Sequence, residues 1–357
     1  MRLMIAGGGT GGHLFPGVAV AEELRARDPQ AVIRFVGTAK GIEARVLPEL
    51  GEDLALIEVS GLKTVGALGA IKGLFRLPRA LWQARRLVKQ FKPDAVVGVG
   101  GYASGPVVLM ARLRGVPTAI CEQNSIPGLT NKILGKFARA VFLSFEESKR
   151  FFKPKKIVMS GNPVRRGLLQ KLLEAPAREP GDTIHILVSG GSLGAVAVNE
   201  LAAHALAVIA KERPIAIVHQ TGEKGLAATK AIYEAAGVTA ECSAFIKDMA
   251  AAYHRADLII GRAGATTVAE LAIAGKPAIF IPYPHAADDH QTINAREMEL
   301  AGAALSFKQA DLTADKLATA VRPLLESAKR AEMAAAMKAL AKPRAAATVV
   351  DWCIDQR

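Results

Sequence analysis

Short aliphatic runs alternate with longer helical patterns along the whole chain. Runs at residues 3–6, 32–36, 54–59, 95–99, 118–121, 141–143 and 157–159 predict strands in the first half. Runs at 184–189, 215–219, 238–240, 258–260, 278–281 and 303–305 predict strands in the second. Helical patterns fill the intervals, for example at 17–27, 107–113, 195–211 and 224–236. This alternation predicts an α/β fold of parallel sheets covered by helices on both faces. The two halves open alike: Ile5-Ala6-Gly7-Gly8-Gly9 is echoed by Val188-Ser189-Gly190-Gly191-Ser192. The echo predicts two doubly wound, Rossmann-like domains facing one another across a cleft. A hinge is expected near residues 162–166, because 173–182 is rich in proline and charge and carries no strand pattern. The expected domains are residues 1–162 and 163–343, with a last helix over 344–357 packing back on the first.

Composition narrows the setting. Apolar residues make up 50% of the 357, enough for two cores. Cys121, Cys242 and Cys353 lie far apart with no Cys-x-x-Cys, which argues against a disulfide framework or a zinc site. No secretory pattern opens the chain, and no apolar run approaches the ~18–20 residues of a membrane span, so a soluble or peripheral protein is expected. The net charge of +13 is concentrated. Residues 59–93 hold no Asp or Glu but carry Lys63, Lys72, Arg76, Arg79, Arg85, Arg86, Lys89 and Lys92. Such a block attracts nucleic acid or acidic lipid headgroups. Aromatics at 5%, with no stacking platform, argue against nucleic acid as a partner.

Candidate chemistry gathers at the glycine turns. Gly7-Gly8-Gly9-Thr10-Gly11-Gly12-His13 leads from a strand into a helix, where free N–H groups and the helix dipole favour an anion. His13 adds a titratable imidazole where that anion would lie; its plainer reading is a helix cap. The Gly-x-Gly-x-x-Gly pattern alone points to a dinucleotide, but the second strand runs into Gly37-Thr38-Ala39-Lys40 without the ribose-binding carboxylate such a unit wants. Gly98 to Pro106, through Gly101, forms a second turn in which Tyr102 either projects to a ligand or packs, with Ser104 as a helix cap. Glu122-Gln123-Asn124 sits at a strand's carboxyl end and suits a hydroxyl-rich ligand or a turn. Ser192 lies in a second anion-binding turn, and Arg165 near the hinge can pair with phosphate. Glu270, expected within about the first turn of its helix, either stabilises the dipole or accepts from a ribose diol. His285, Asp288, Asp289 and His290 suggest a metal, but they lack a fixed helical ligand pair, and no metal is expected.

Taken in order, these motifs resemble the bacterial cell-wall glycosyltransferase family MurG over nearly the whole chain. The resemblance is carried by Gly8 to His13, Gly100-Gly101-Tyr102, Glu122-Gln123-Asn124, Gly161-Asn162-Pro163-Val164-Arg165, Gly190-Gly191-Ser192, Phe245-Ile246, Arg262 to Glu270, and His290-Gln291 with Asn294. It implies the GT-B architecture and an inverting transfer of N-acetylglucosamine from UDP-N-acetylglucosamine to a lipid-linked muramyl-pentapeptide, without a cofactor. It places the uracil contact on Ile246, the ribose carboxylate on Glu270, and the diphosphate on Ser192, Arg165 and the turn Ala265, Thr266, Thr267, Val268 and Ala269. Asn124 and Gln291 fall on the transferred sugar, with Thr10, Gly11 and Gly12 near the diphosphate. His13 is the implied base and Glu122 the alternative. His290 and Ala263 stand where some relatives carry glutamine and serine.

A lipid-linked acceptor also gives the basic block a purpose. Leu74, Phe75 and Trp82, interleaved with Arg76 and Arg79, are expected to meet an anionic membrane. The resemblance implies a place on the cytoplasmic face of the plasma membrane, with cell-wall synthesis proteins as further partners. A transferase using another nucleotide sugar or lipid acceptor is the alternative.

Overall fold

A computed structural model describes residues 1–59, 66–174, 181–191 and 193–356, with side chains omitted for 66–76. The chain divides into two compact units, residues 1–166 with 343–357, and residues 167–342.

The first unit is built on β1 (Arg2–Ala6), β2 (Val32–Gly37), β3 (Leu54–Leu56), β4 (Ala95–Gly98), β5 (Thr118–Glu122), β6 (Ala140–Leu143) and β7 (Ile157–Val158). Its helices are α1 (Gly11–Arg27), α2 (Glu43–Glu49), α3 (Gly66–Phe91), α4 (Ser104–Leu113) and α5 (Leu129–Leu134). The helix α6 (Arg166–Glu174) begins where this unit ends. The parallel sheet runs β3-β2-β1-β4-β5-β6-β7, so the strand order reverses between β1 and β4. Alternate residues of β1 serve opposite cores. Leu3 and Ile5 pack with Leu14, Val18 and Ala21 of α1. Met4 and Ala6 pack with Ala84, Val88, Val107 and Val108 of α3 and α4.

The second unit holds β8 (Ile184–Ser189), β9 (Ile215–Gln220), β10 (Ala240–Ser243), β11 (Leu258–Gly261), β12 (Ala278–Phe280) and β13 (Ala304–Ser306). Its helices are α7 (Val196–Glu212), α8 (Leu226–Ala235), α9 (Met249–Arg255), α10 (Ala265–Ala274), α11 (His290–Leu300), α12 (Ala314–Val321) and α13 (Ser327–Ala339). The parallel sheet runs β10-β9-β8-β11-β12-β13, reversing between β8 and β11. A last helix, α14 (Ala345–Asp355), belongs to the first unit. Its Val349, Val350 and Cys353 enter the core beside Leu3 and Ile5, and Trp352 meets Phe142 edge to face at 6.1 Å.

Among the boundaries that differ from the sequence pattern, three have clear local causes. The helix α1 starts at Gly11 rather than residue 17, because the turn closes at Thr10, whose carbonyl accepts from His13 and Leu14 N–H. The strand β3 stops at Leu56, opposite Gly37, where its partner β2 ends. The strand expected at 238–240 begins only at Ala240, because Val238 N–H closes α8 by donating to the Tyr233 carbonyl.

Candidate active site

In open α/β sheets, loops at the carboxyl ends of strands beside the switch in strand order form the ligand crevice. Each unit brings two glycine turns to that place.

In the first unit the turns after β1 and β4 interlock. Gly8 N–H donates to the Gly100 carbonyl at 3.2 Å. A Cβ on Gly101, at φ +79°, would stand 2.3 Å from the Gly8 carbonyl oxygen. No side chain other than hydrogen permits that approach. His13 in the first turn of α1 lies against Gly100, and its Nδ1 is 3.3 Å from Thr10 Oγ1. Thr10 and Gly12 are exposed, while Gly11 and His13 are half-buried. Tyr102 is exposed beside Gly101. Ser104 does not cap α4 through its side chain. The chain is already helical at Ala103, and the Ser104 hydroxyl donates back to the Gly101 carbonyl at 2.8 Å.

A carboxylate does reach the end of β2, but from α2 and onto the backbone of the turn itself. Glu43, 1% exposed, reaches back from α2. It accepts from Gly9 N–H at 2.7 Å, and from the Thr38 N–H and hydroxyl at 2.9 and 3.0 Å. A Cβ on Gly8 would stand 2.4 Å from that carboxylate. Glu43 therefore shapes the turn that carries Thr10 and His13. The pattern of glycines at 37 and 41 around it is the only sequence signal.

Glu122 ends β5 and is 2% exposed. Burial pushes its carboxyl up to about 7, against hydrogen bonds that favour the charged form. Those bonds come from Asn124 N–H at 3.0 Å, Gly128 N–H at 3.3 Å and Asn131 Nδ2 at 2.9 Å. Asn124 is half-buried in the loop they hold. Arg165 is exposed, with its guanidinium 4.9 Å from the centre of the Phe15 ring on α1.

In the second unit the turn after β8 passes through Gly190 and Gly191 into α7. Ser192 lies outside the described residues. The turn after β11 enters α10 at Ala265, with Gly264 as the residue before it. Ala265 and Val268 are buried, and Thr266, Thr267, Ala269 and Glu270 are half-buried. Thr266 Oγ1 is buried with no hydrogen-bond partner among the described residues. Glu270 falls in the second turn of α10, not the first, because the helix starts at Ala265. That weakens the dipole reading, whose effect is confined to the first turn. Its Oε2 accepts from the buried Tyr253 hydroxyl at 2.8 Å. Burial and that carboxylate raise the Tyr253 phenol well above its usual value, so it stays a donor. Gln291 accepts from Tyr283 N–H at 3.0 Å, and buried Asn294 donates to the Ala263 carbonyl at 3.1 Å. Ile246 N–H donates to Gln220 Oε1 at 2.9 Å, and Phe245 beside it is exposed. His290 Nδ1 meets the Ala287 carbonyl at 2.8 Å. Among the described residues no cluster of three His, Cys, Asp or Glu is placed to hold a metal ion.

Two family models meet the chain in the order of these two units. Residues 3–143 match the glycosyltransferase family 28 N-terminal domain, and residues 185–349 the C-terminal domain. A transferase of Myxococcus xanthus is 48% identical over 99% of this chain and 93% of its own length. It is named UDP-N-acetylglucosamine--N-acetylmuramyl-(pentapeptide) pyrophosphoryl-undecaprenol N-acetylglucosamine transferase. A relative of that name in Geobacter sp. (strain M21) is 50% identical over 98% of this chain and 95% of its own. The crystal structure of Acinetobacter baumannii MurG superposes with a TM-score of 0.84, at 36% identity over 99% of both chains. The chain belongs to the MurG family. Its two parallel-sheet units are those of the GT-B architecture. The fold extends to more distant enzymes, such as the kitacinnamycin glycosyltransferase, with a TM-score of 0.73 at 16% identity.

The membrane-facing residues expected of a MurG are partly described. Side chains of Leu74, Phe75 and Arg76 lie outside the described residues. Trp82 on α3 is 60% exposed under Arg86, whose guanidinium is 5.8 Å from the ring centre. Arg79 pairs with Glu58 at 2.9 Å. Leu113, at the end of α4 and 70% exposed, was not among the sequence candidates. With Arg85, Met110 and Arg114 it lines a surface cavity of about 400 Å³. Among the described residues no helix is long and apolar enough to cross a membrane.

Proposed function

We propose that this enzyme transfers N-acetylglucosamine from UDP-N-acetylglucosamine to undecaprenyl-pyrophosphoryl-N-acetylmuramyl-pentapeptide, the step from lipid I to lipid II in peptidoglycan synthesis. Near full-length similarity to transferases named for that reaction carries the reading.

The muramyl C4 hydroxyl attacks the anomeric carbon of the donor. A C–O bond forms on one face as the bond to the β-phosphate oxygen breaks on the other, so configuration inverts. The hydroxyl proton goes to His13 and the electron pair leaves with UDP. The Thr10 hydroxyl, 3.3 Å from Nδ1, can accept from Nδ1–H in the tautomer whose lone pair is on Nε2. A base so placed contributes about 10²–10⁴-fold. Glu122 is occupied by the Asn124–Asn131 loop and serves as its brace, leaving it the second choice as base.

Donor recognition falls chiefly to the second unit. The N-terminal turns of α7 and α10 offer backbone N–H groups to the diphosphate, with Ser192 and the side chain of Arg165 adding to them. The unpartnered Thr266 hydroxyl supports a ligand at this turn. Glu270, oriented by Tyr253, accepts from the ribose diol. Ile246 meets the uracil, and Gln291 and Asn124 the sugar. Gly101 and Tyr102 face the acceptor.

The exposed Trp82 and Leu113, set among Arg79, Arg85, Arg86 and Arg114, support docking on an anionic membrane at its cytoplasmic face. An enzyme there supplies cell division and cell shape with precursor, beside other cell-wall proteins.

The test is transfer of labelled N-acetylglucosamine to a short-chain analogue of the lipid acceptor, with wild type and His13→Ala in parallel. Product from wild type and a loss of 10²-fold or more in a folded His13→Ala is expected. No product from wild type that still binds UDP-N-acetylglucosamine refutes the acceptor, and full activity of His13→Ala refutes the base.

A further inference from the structure

Gln220 closes β9 and is 1% exposed, yet the mechanism above leaves it without a role. Its partners fix which end of the amide is which. Nε2 donates to the Gly191 carbonyl at 2.9 Å and lies 3.4 Å from Ser189 Oγ. Oε1 accepts from Ile246 N–H at 2.9 Å. One buried side chain thus joins the glycine turn after β8 to the backbone beyond β10, the strands on either side of β9.

Neither end belongs to a regular ladder. Gly191 sits at φ +90°, and Ile246 lies past Ser243, the last residue of β10 paired with β9. The Gly191 carbonyl orients the peptide that leads into the anion-binding turn. The Ile246 peptide is the one assigned to the base. Buried hydrogen bonds of this kind are costly to leave unmade, so the amide resists independent movement of its two ends.

We infer that Gln220 is a positioning residue that couples diphosphate recognition at Gly190–Gly191 to base recognition at Ile246. The inference rests on the reading of the second unit as the UDP-sugar site. A ligand that seats its phosphates on the turn fixes the Gly191 carbonyl, and through Gln220 it fixes Ile246. Binding of the two ligand parts is then cooperative, a coupling free energy in the ordinary sense. A glutamine that merely fills space would contribute to stability without linking the two.

Gln220→Met keeps the volume and removes all of these hydrogen bonds. Calorimetry on the full-length chain gives the affinity of uridine and of UDP for wild type and variant, with melting temperature as the check on folding. The ratio of UDP affinity to uridine affinity should fall at least about tenfold in Gln220→Met, the equivalent of about 1.4 kcal/mol. An unchanged ratio overturns the inference, whether or not the variant is less stable. A wild type that binds no UDP overturns the reading of the unit, and the inference with it. Hydrogen exchange in wild type decides the case without a variant. Pyrophosphate, at concentrations that displace UDP, should slow exchange at the Ile246 amide, and unaltered exchange overturns the coupling.

Discussion

Replacing Glu122 by Gln separates a structural carboxyl from a catalytic one. Burial raises this carboxyl from 4.5 to about 7, although hydrogen bonds from Asn124, Asn131 and Gly128 pull the other way. The folded protein therefore keeps a proton that the unfolded chain gives up near 4.5. The stability this contributes is fully present below about 4.5 and is lost as pH rises through about 7. At about 1.4 kcal/mol per pH unit, the loss across that window is roughly 3 kcal/mol. Glutamine cannot ionise, so Glu122→Gln lacks this component. Urea unfolding of both proteins at pH 5 and pH 8 gives the comparison. Wild type should lose about 2–3 kcal/mol more than the variant between the two, since other titrating groups are common to both. Parallel losses would refute the claim that burial governs this group. Transfer activity at pH 8 completes the argument: a variant within about tenfold of wild type fits a brace, and a fall of 10² or more would make Glu122 the base.

Glu43→Ala leaves three donors around the first glycine turn without their acceptor and should cost about 3 kcal/mol or more by urea unfolding, with kcat falling further than the donor KM rises. Tyr253→Phe removes the donor to Glu270 and should raise the donor KM by up to about tenfold with kcat nearly unchanged; a fall in kcat alone would refute the assignment of Glu270 to donor binding. Trp82→Ser combined with Leu113→Ser should weaken flotation with anionic liposomes while turnover of a water-soluble acceptor survives, and equal loss of both would exclude a membrane role for this face.

The sheets were readable because buried parallel strands demand continuous aliphatic runs, and little else in the chain produces them. The edges were harder, since hydrogen bonds to distant partners decide them. Nothing near Leu56 says that β2 ends at Gly37, and nothing near Val238 says that its N–H belongs to a helix end. Glycine turns announce themselves by composition, so His13, Glu122 and Glu270 could be singled out beside them. Their supports could not. Glu43 braces Gly9 from 34 positions away, and Gln220 lies 29 from Gly191 and 26 from Ile246. Tyr253 is 17 residues before the carboxylate it orients. A polar residue inside an apolar stretch reads as pattern until the fold supplies its partner.

The position of α14 bears on how the protein is made. The first unit emerges from the ribosome first but is not whole until residues 345–355 arrive, because Val349, Val350 and Cys353 complete the core around Leu3 and Ile5. Residues 167–342 form an uninterrupted segment and can mature while their predecessor waits. Completion of the N-terminal part, which usually comes first, is thereby deferred to the last residues made. A released chain truncated before α14 should carry a protease-resistant second half attached to a labile first half.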